Sequence, residues 1–171
     1  GAAGHELVGE IPWGTWTADV PEAGSAAWDG VRKGYAVSAA EPGTRAWIKR
    51  QLSGAQGGWE GRFRFDAAEG SVRLSASLNF QTWIEVGPET VEAWSSGKER
   101  PRLLARRPGS GPRGAHTLTV ISRTPLVLVY LDGKLAAALR EPEARLEEGL
   151  QIGAGGGGGL IESVRVKDRD P

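Results

Sequence analysis

Along much of this chain apolar and polar residues alternate one by one. In "GRFRFD", Phe63 and Phe65 alternate with Arg62 and Arg64; in "SVRLSASLN", Val72, Leu74, Ala76 and Leu78 alternate with Arg73, Ser75, Ser77 and Asn79. Successive side chains of a strand point to opposite sides, so each pattern predicts a strand with one buried and one wet face, as in an antiparallel sheet. "AAEG" between them has the length of a hairpin turn. Further strands are predicted at "GYAVSAA", "RAWIKRQL", "QTWIEVG", "ETVEAW", "RLLARR" and "HTLTVIS". In "PLVLVYLDGKLAAAL", Asp132-Gly133 is the strongest hairpin signal, because a type I′ turn needs φ > 0 at both central positions. The unbroken apolar run before it, with Val127, Val129 and Leu131 on one side and Leu126, Leu128 and Tyr130 on the other, predicts a strand covered on both faces. About eleven or twelve strands at short intervals predict a sandwich. The one helical candidate is a single turn in "EPEARLEEGL", Glu141–Leu150, with Pro142 as a first helical residue and Gly149 as a stop.

Near the C-terminal end, "GLQIGAGGGGGLIESVRVKD" holds five consecutive glycines, Gly155–Gly159. A phosphate cradle needs a helix opening directly after the loop, and a P-loop needs Gly-Lys-Ser/Thr. Here a strand pattern follows, with Leu160, Val164 and Val166 on one parity, so a cradle is excluded. A linker would need a domain beyond it, and only about twelve residues remain. The expectation is a flexible loop joining the last two strands.

The length of 171 residues suits one domain, 1–171, with residues 1–12 as a loose N-terminal segment. Lys+Arg and Asp+Glu number 21 each, which gives no electrostatic argument for nucleic acid or an anionic membrane. No cysteine is present, so disulfides and thiolate metal sites are out. No methionine is present either, even at position 1, which suits a processed protein, an excised domain or a tag remnant. No apolar run approaches the roughly 18–20 residues of a helical membrane span, so membrane insertion is not expected.

The segments "WEGRFRFD", "SVRLSASLN", "TWIEVG", "HTLTVIS", "LVLVYLDGKLAAAL", "GLQIGAGGG" and "IESVRVKD", in that order, resemble the concanavalin A-like lectin/glucanase superfamily in its laminin G-like branches. The resemblance spans about residues 45–168 and rests on the Tyr-Leu-Asp-Gly-Lys hairpin, the "GLQIG" strand and the closing "ESVRV" strand. "AAWDGVRKGYAVSA" is similar to the opening of three-keto-glycoside hydrolase-like domains. The implied fold is an all-β, concanavalin-like jelly-roll sandwich of two antiparallel sheets. Lectins, carbohydrate-binding modules, glycoside hydrolases and protein-binding domains share it, so the fold alone does not transfer an activity.

Laminarinase-type relatives carry Glu-x-Asp-x-(x)-Glu on one strand. The nearest stretch here is "IEVGPET", where Glu85 and Glu89 share parity but lack a central Asp and are separated by Gly87-Pro88, which turns the chain. Two solvated carboxylates at a hairpin are expected instead, and catalysis is not. His5 and His116 are isolated, which argues against a triad or a zinc site. No cofactor is expected. Relatives use structural calcium, but none of the six Asp is clustered as D-x-D-x-D, so such a site would depend on backbone carbonyls.

Binding chemistry rests on the seven tryptophans, whose rings can stack on the C–H faces of sugars. Trp59 shares parity with Phe63 and Phe65 and is assigned to the core. Trp83 lies with Glu85 and opposite Ile84 and Val86; Trp47 lies with Lys49 and Gln51; Trp94 lies with Glu92. If these sides share one sheet face, Trp47, Trp83 and Trp94 with Arg62, Arg64, Arg73, Asn79 and Glu85 form an aromatic and basic glycan groove. The segment "GKERPRLLARRPGSGPRG" is basic but lacks the aromatics that nucleic-acid readers interleave. It reads as a solvated loop, or as a binder of sulfated or uronic-acid polymers. The leading expectation is a non-catalytic, lectin-like module, extracytoplasmic, with a glycan or polysaccharide partner. The alternatives are a structural or protein-interaction domain of a larger assembly, or a glycoside-processing enzyme.

Overall fold

A computed structural model describes residues 4–6, 16–41, 43–51, 56–66, 72–77, 82–123, 125–140 and 149–168. These residues form strands and turns without a helix. One sheet has eight strands. Its order is β13 (Lys134–Leu139), β12 (Leu126–Leu131), β11 (His116–Arg123), β6 (Gln56–Phe65), β15 (Gly157–Asp168), β4 (Gly34–Ala39) and β3 (Gly24–Asp29), with β1 (Gly4–Glu6) pairing β15 off this path. The other has seven strands in the order β10 (Arg102–Pro108), β9 (Thr90–Ser95), β8 (Thr82–Val86), β7 (Arg73–Ser77), β14 (Gly149–Gly155), β5 (Ala46–Gln51) and β2 (Thr17–Asp19). Every pairing is antiparallel. The expected jelly-roll sandwich is therefore present.

One parity of most strands faces the partner sheet. Ile48, Leu74, Ala76, Ile84, Val86 and Ile152 from the seven-stranded sheet meet Val37, Trp59, Phe63, Val120, Val129 and Val164 in one core. Burying each large aliphatic side chain contributes about 1.5–3 kcal/mol before entropy is subtracted. Trp59 is buried there, as its parity predicts. Asp132 and Gly133 have φ of 51° and 80°, the left-handed pair of a type I′ turn.

The structure corrects three expectations. Fifteen strands occur among the described residues, more than expected, because β1, β2 and β3 escape the alternation rule. β2 is wholly exposed and β3 is rich in Ala, so neither shows a strong apolar stripe. β12 is not covered on both faces: Val127, Val129 and Leu131 are buried, while Leu126, Leu128 and Tyr130 are only half-buried on the outside. The glycine run is not a flexible loop but the corner where the chain passes between sheets. β14 runs to Gly155, β15 starts at Gly157, and only Gly156 (φ 71°) lies between. A Cβ on Gly157, Gly158 or Gly159 would stand 2.6 Å from Val72 Cγ2, 2.8 Å from Asp66 Oδ2 or 2.9 Å from Leu74 Cδ2. The glycines thus let two sheets converge where side chains have no room. Residues 67–70 of the "AAEG" turn and 141–148 of the helical candidate lie outside the described residues, and Gly149 and Leu150 belong to β14.

Candidate functional site

The outer face of the seven-stranded sheet collects the polar parity of its strands. One row crosses all seven strands in register: Asp19, Trp47, Gly153, Ser75, Glu85, Glu92 and Arg106. The next row holds Thr17, Lys49, Gln151, Ser77, Trp83, Trp94 and Leu103. Alternation places these residues on this side except on β10. There a bulge between Leu103 and Ala105 shifts the parity and brings Arg106 to the same face as Leu103. The register decides which ones touch.

In the first row, Glu85 and Glu92 stand directly opposite each other and are only 7% and 8% exposed. Buried carboxylates need partners. Arg73 lies between them, with Nε 3.1 Å from Glu85 Oε2 and Nη2 2.7 Å from Glu92 Oε1. Arg106 closes one end, its Nη2 2.8 Å from Glu92 Oε2. Arg45 closes the other by pairing with Glu85 Oε1, and its Nε donates to Ser75 Oγ at 3.1 Å. The result is a ladder of alternating charge, Arg45–Glu85–Arg73–Glu92–Arg106.

The second row supplies aromatic surface. Trp83 and Trp94 are register partners whose rings stack 6.3 Å apart and 9° from parallel. Trp83 Nε1 donates to Glu85 Oε1 at 3.2 Å, so the ladder also fixes the indole. Trp47 lies down across β14, and this requires Gly153: a Cβ there would be 2.7 Å from Trp47 Cε3 and 2.3 Å from Ala46 O. Gly155 similarly clears the way for the Arg45 stem, whose Cγ would be 3.2 Å from an added Cβ. Between these groups is a pocket of about 230 Å³ lined by Arg45, Trp47, Ser77, Trp83 and Gln151.

Of the residues assigned from sequence, the structure brings together Trp47, Trp83, Trp94, Arg73 and Glu85. Arg62 and Arg64 are corrected: they project from β6 in the other sheet, where both lie against Glu162. The parity reading placed them on a wet face, but each sheet has its own wet face. Asn79 lies outside the described residues. Sequence reasoning missed Glu92 as Glu85's neighbour, Arg106, Arg45, Gly153 and Gly155. Only Glu92 had a signal, its shared parity with Trp94.

Opposed cross-strand residues have Cβ atoms about 4.5–5.5 Å apart, which sets the two glutamates side by side. The register therefore makes Glu92, not Glu89, the carboxyl nearest Glu85; Glu89 is exposed in the β8–β9 turn. Guanidinium or indole donors face all four oxygens of Glu85 and Glu92. Both carboxylates are thus engaged by donors of the same face. The face can stack and hydrogen-bond a ligand. His116 lies in the other sheet, its Nδ1 2.9 Å from Asp132 Oδ2, next to Phe63 and Phe65 rather than a nucleophile. Among the described residues no cluster of three or more His, Cys, Asp or Glu could hold a metal ion.

No family model matches the chain, nor does any curated protein. Solved structures do. The chain is similar to the apo Crh5 transglycosylase at a TM-score of 0.70 and 16% identity, over 99% of this chain and 85% of that one. A variant of the Emp46p carbohydrate recognition domain matches at 0.67 and 12%, over 94% and 91% of the two chains. Carbohydrate-binding module CBM66 from Bacillus subtilis matches at 0.61 and 14%, over 90% and 92%. Such identities speak for fold alone. Two antiparallel sheets in this strand order, matched over nearly their whole length by these structures, give the chain the concanavalin A-like lectin/glucanase β-sandwich fold.

Proposed function

We propose that the chain is a non-catalytic, lectin-like module that binds a glycan across the outer face of the seven-stranded sheet. The observation that carries this reading is the Trp83–Trp94 stack, half-buried, pinned by Glu85, and bordering the pocket that Trp47, Arg45, Ser77 and Gln151 complete. Indole rings take the apolar faces of sugar rings, and the guanidinium, hydroxyl and amide groups take hydroxyls. Because the ladder holds the indole in place beforehand, little side-chain entropy is lost on binding. Two of the similar structures are named for carbohydrate recognition or binding, which supports the same ligand class here. An extracytoplasmic location and the laminin G-like branch fit this role.

The enzyme reading draws on the transglycosylase likeness. The occupied oxygens of Glu85 and Glu92 count against it. A protein-binding role draws on the outer face of the other sheet, where half-buried Leu126, Leu128 and Tyr130 adjoin Leu135, which is 56% exposed.

The deciding experiment is a tryptophan fluorescence titration with a panel of neutral, sulfated and uronic-acid oligosaccharides. A saturable shift is expected, and Trp83→Ala should abolish it with the circular dichroism spectrum retained. A flat response from the intact fold across the panel would end this reading.

A further inference from the structure

We infer that the glycan carries carboxylate or sulfate groups, and that the β9–β10 hairpin receives them with Lys98 and Arg100. This rests on the glycan-binding reading above. The cations of the sheet face itself are already engaged: Arg45, Arg73 and Arg106 pair with Glu85 and Glu92, and Lys49 Nζ lies 2.8 Å from Asp19 Oδ2. An anionic ligand gains little from charges that are neutralised where they stand.

The hairpin is different. Residues 95–103 form an open, solvent-exposed surface at this hairpin. Lys98 and Arg100 face one acidic residue there, Glu99. Among the described residues, neither Lys98 nor Arg100 has a carboxylate partner, and both are exposed. The whole chain has a formal net charge of zero, so this surplus is local rather than a share of general basicity.

Position links the hairpin to the aromatic surface. It begins at Ser95, the residue after Trp94, and ends at Leu103, the register partner of Trp94. The row Ser77, Trp83, Trp94, Leu103 therefore runs directly to its edge. A chain of sugars stacked on the two indoles and extended along the row brings its substituents to Lys98 and Arg100. A neutral glycan has nothing for these cations. A uronate or sulfated glycan gains an attraction that salt weakens, because both charges are solvent-exposed.

The test measures affinities of the whole chain for hexasaccharides of glucose, galacturonic acid and chondroitin sulfate, with oligoglutamate as a non-sugar polyanion, at low and raised salt. Lys98→Ala/Arg100→Ala and Trp83→Ala are compared with the unaltered protein. An acidic hexasaccharide should bind about tenfold more tightly than the neutral one at low salt, and the preference should shrink as salt rises. The galacturonate and sulfate arms show which acidic group is preferred. The double substitution should remove the preference and leave neutral binding unchanged; both positions are exposed and outside strands, so the dichroism spectrum should not move. Trp83→Ala should weaken every sugar. Equal affinity for neutral and acidic sugars overturns this inference while leaving the glycan-binding role standing. Oligoglutamate binding as tightly as the acidic sugars also overturns it, as indiscriminate adhesion. Failure of every sugar to bind overturns both.

Discussion

Arg64 on β6 and Arg73 on β7 occupy equivalent places in neighbouring alternating strands, yet they stand on the two opposite outer faces of the sandwich. On the eight-stranded sheet, the side chains of Arg62 and Arg64 are 52% and 47% exposed. They share Glu162, whose Oε1 lies close to Arg64 without an aligned hydrogen bond, so the contact is one of charge. On the seven-stranded sheet, Arg73 is half-buried and bridges two carboxylates that are nearly covered. Exposed pairs contribute about 0–1 kcal/mol. A buried charge stripped of its partner costs several times more. The same residue types thus make a solvated surface on one side and a fixed array on the other, and the stacked tryptophans lie only beside the fixed array.

Removing one carboxylate from each face tests this contrast most strongly. Glu85→Ala leaves Arg45 and Arg73 without their shared partner and should lower unfolding stability by about 2–4 kcal/mol, a value reduced from the fully buried case because the arginines are partly exposed. Glu162→Ala should cost about 1 kcal/mol or less. Denaturant unfolding of both variants checks the pair, and equal losses would break the comparison. Next comes Gly153→Ala, whose Cβ meets a main-chain oxygen as well as Trp47. It should cost about 1–3 kcal/mol as overpacking and shift the fluorescence of a displaced indole. Arg62→Ala/Arg64→Ala should leave the glycan titration unchanged, whereas Arg73→Ala should weaken it through Glu85 and Trp83.

The smallest effect is expected at Asp29, beside the eight-stranded sheet's edge. The main-chain N–H of Arg32, followed by its side chain, holds this carboxyl below the usual value. A depressed folded-state value means that the stabilisation is present above the unfolded carboxylate value and is lost as pH falls below about 4. Asp29 and its partner Arg32 are both partly exposed, so thermal melts of Asp29→Asn and the unaltered chain should diverge only slightly at neutral pH and converge in acid.

Alternation reads well wherever one strand face is covered and the other is not. β6, β7, β8 and β9 were legible for that reason, as were the core position of Trp59 and the outward sides of Trp47, Trp83 and Trp94. β3 was not, because Ala26, Ala27 and Trp28 make no clear stripe. β12 misled because its outward Leu126, Leu128 and Tyr130 are as apolar as its inward residues. Among the site residues, Glu85 and Arg73 were found, but their closest partners were not. Glu92 is seven positions from Glu85 in the chain, and nothing in that spacing specifies a register.

The sequence by itself determined most of the strands, the Asp132-Gly133 turn and which side of most strands carries the polar residues, because these depend on neighbours in the chain and on a period of two. Only the tertiary structure decided which strands share a sheet, and therefore that Arg62 and Arg64 leave the site while Arg45 and Arg106 join it. It also decided that Gly153 and Gly155 are clearances for Trp47 and Arg45, and that the glycines after them form a corner. Long-range register sets those relations through packing and charge pairing between segments far apart in the chain, and no local pattern encodes them.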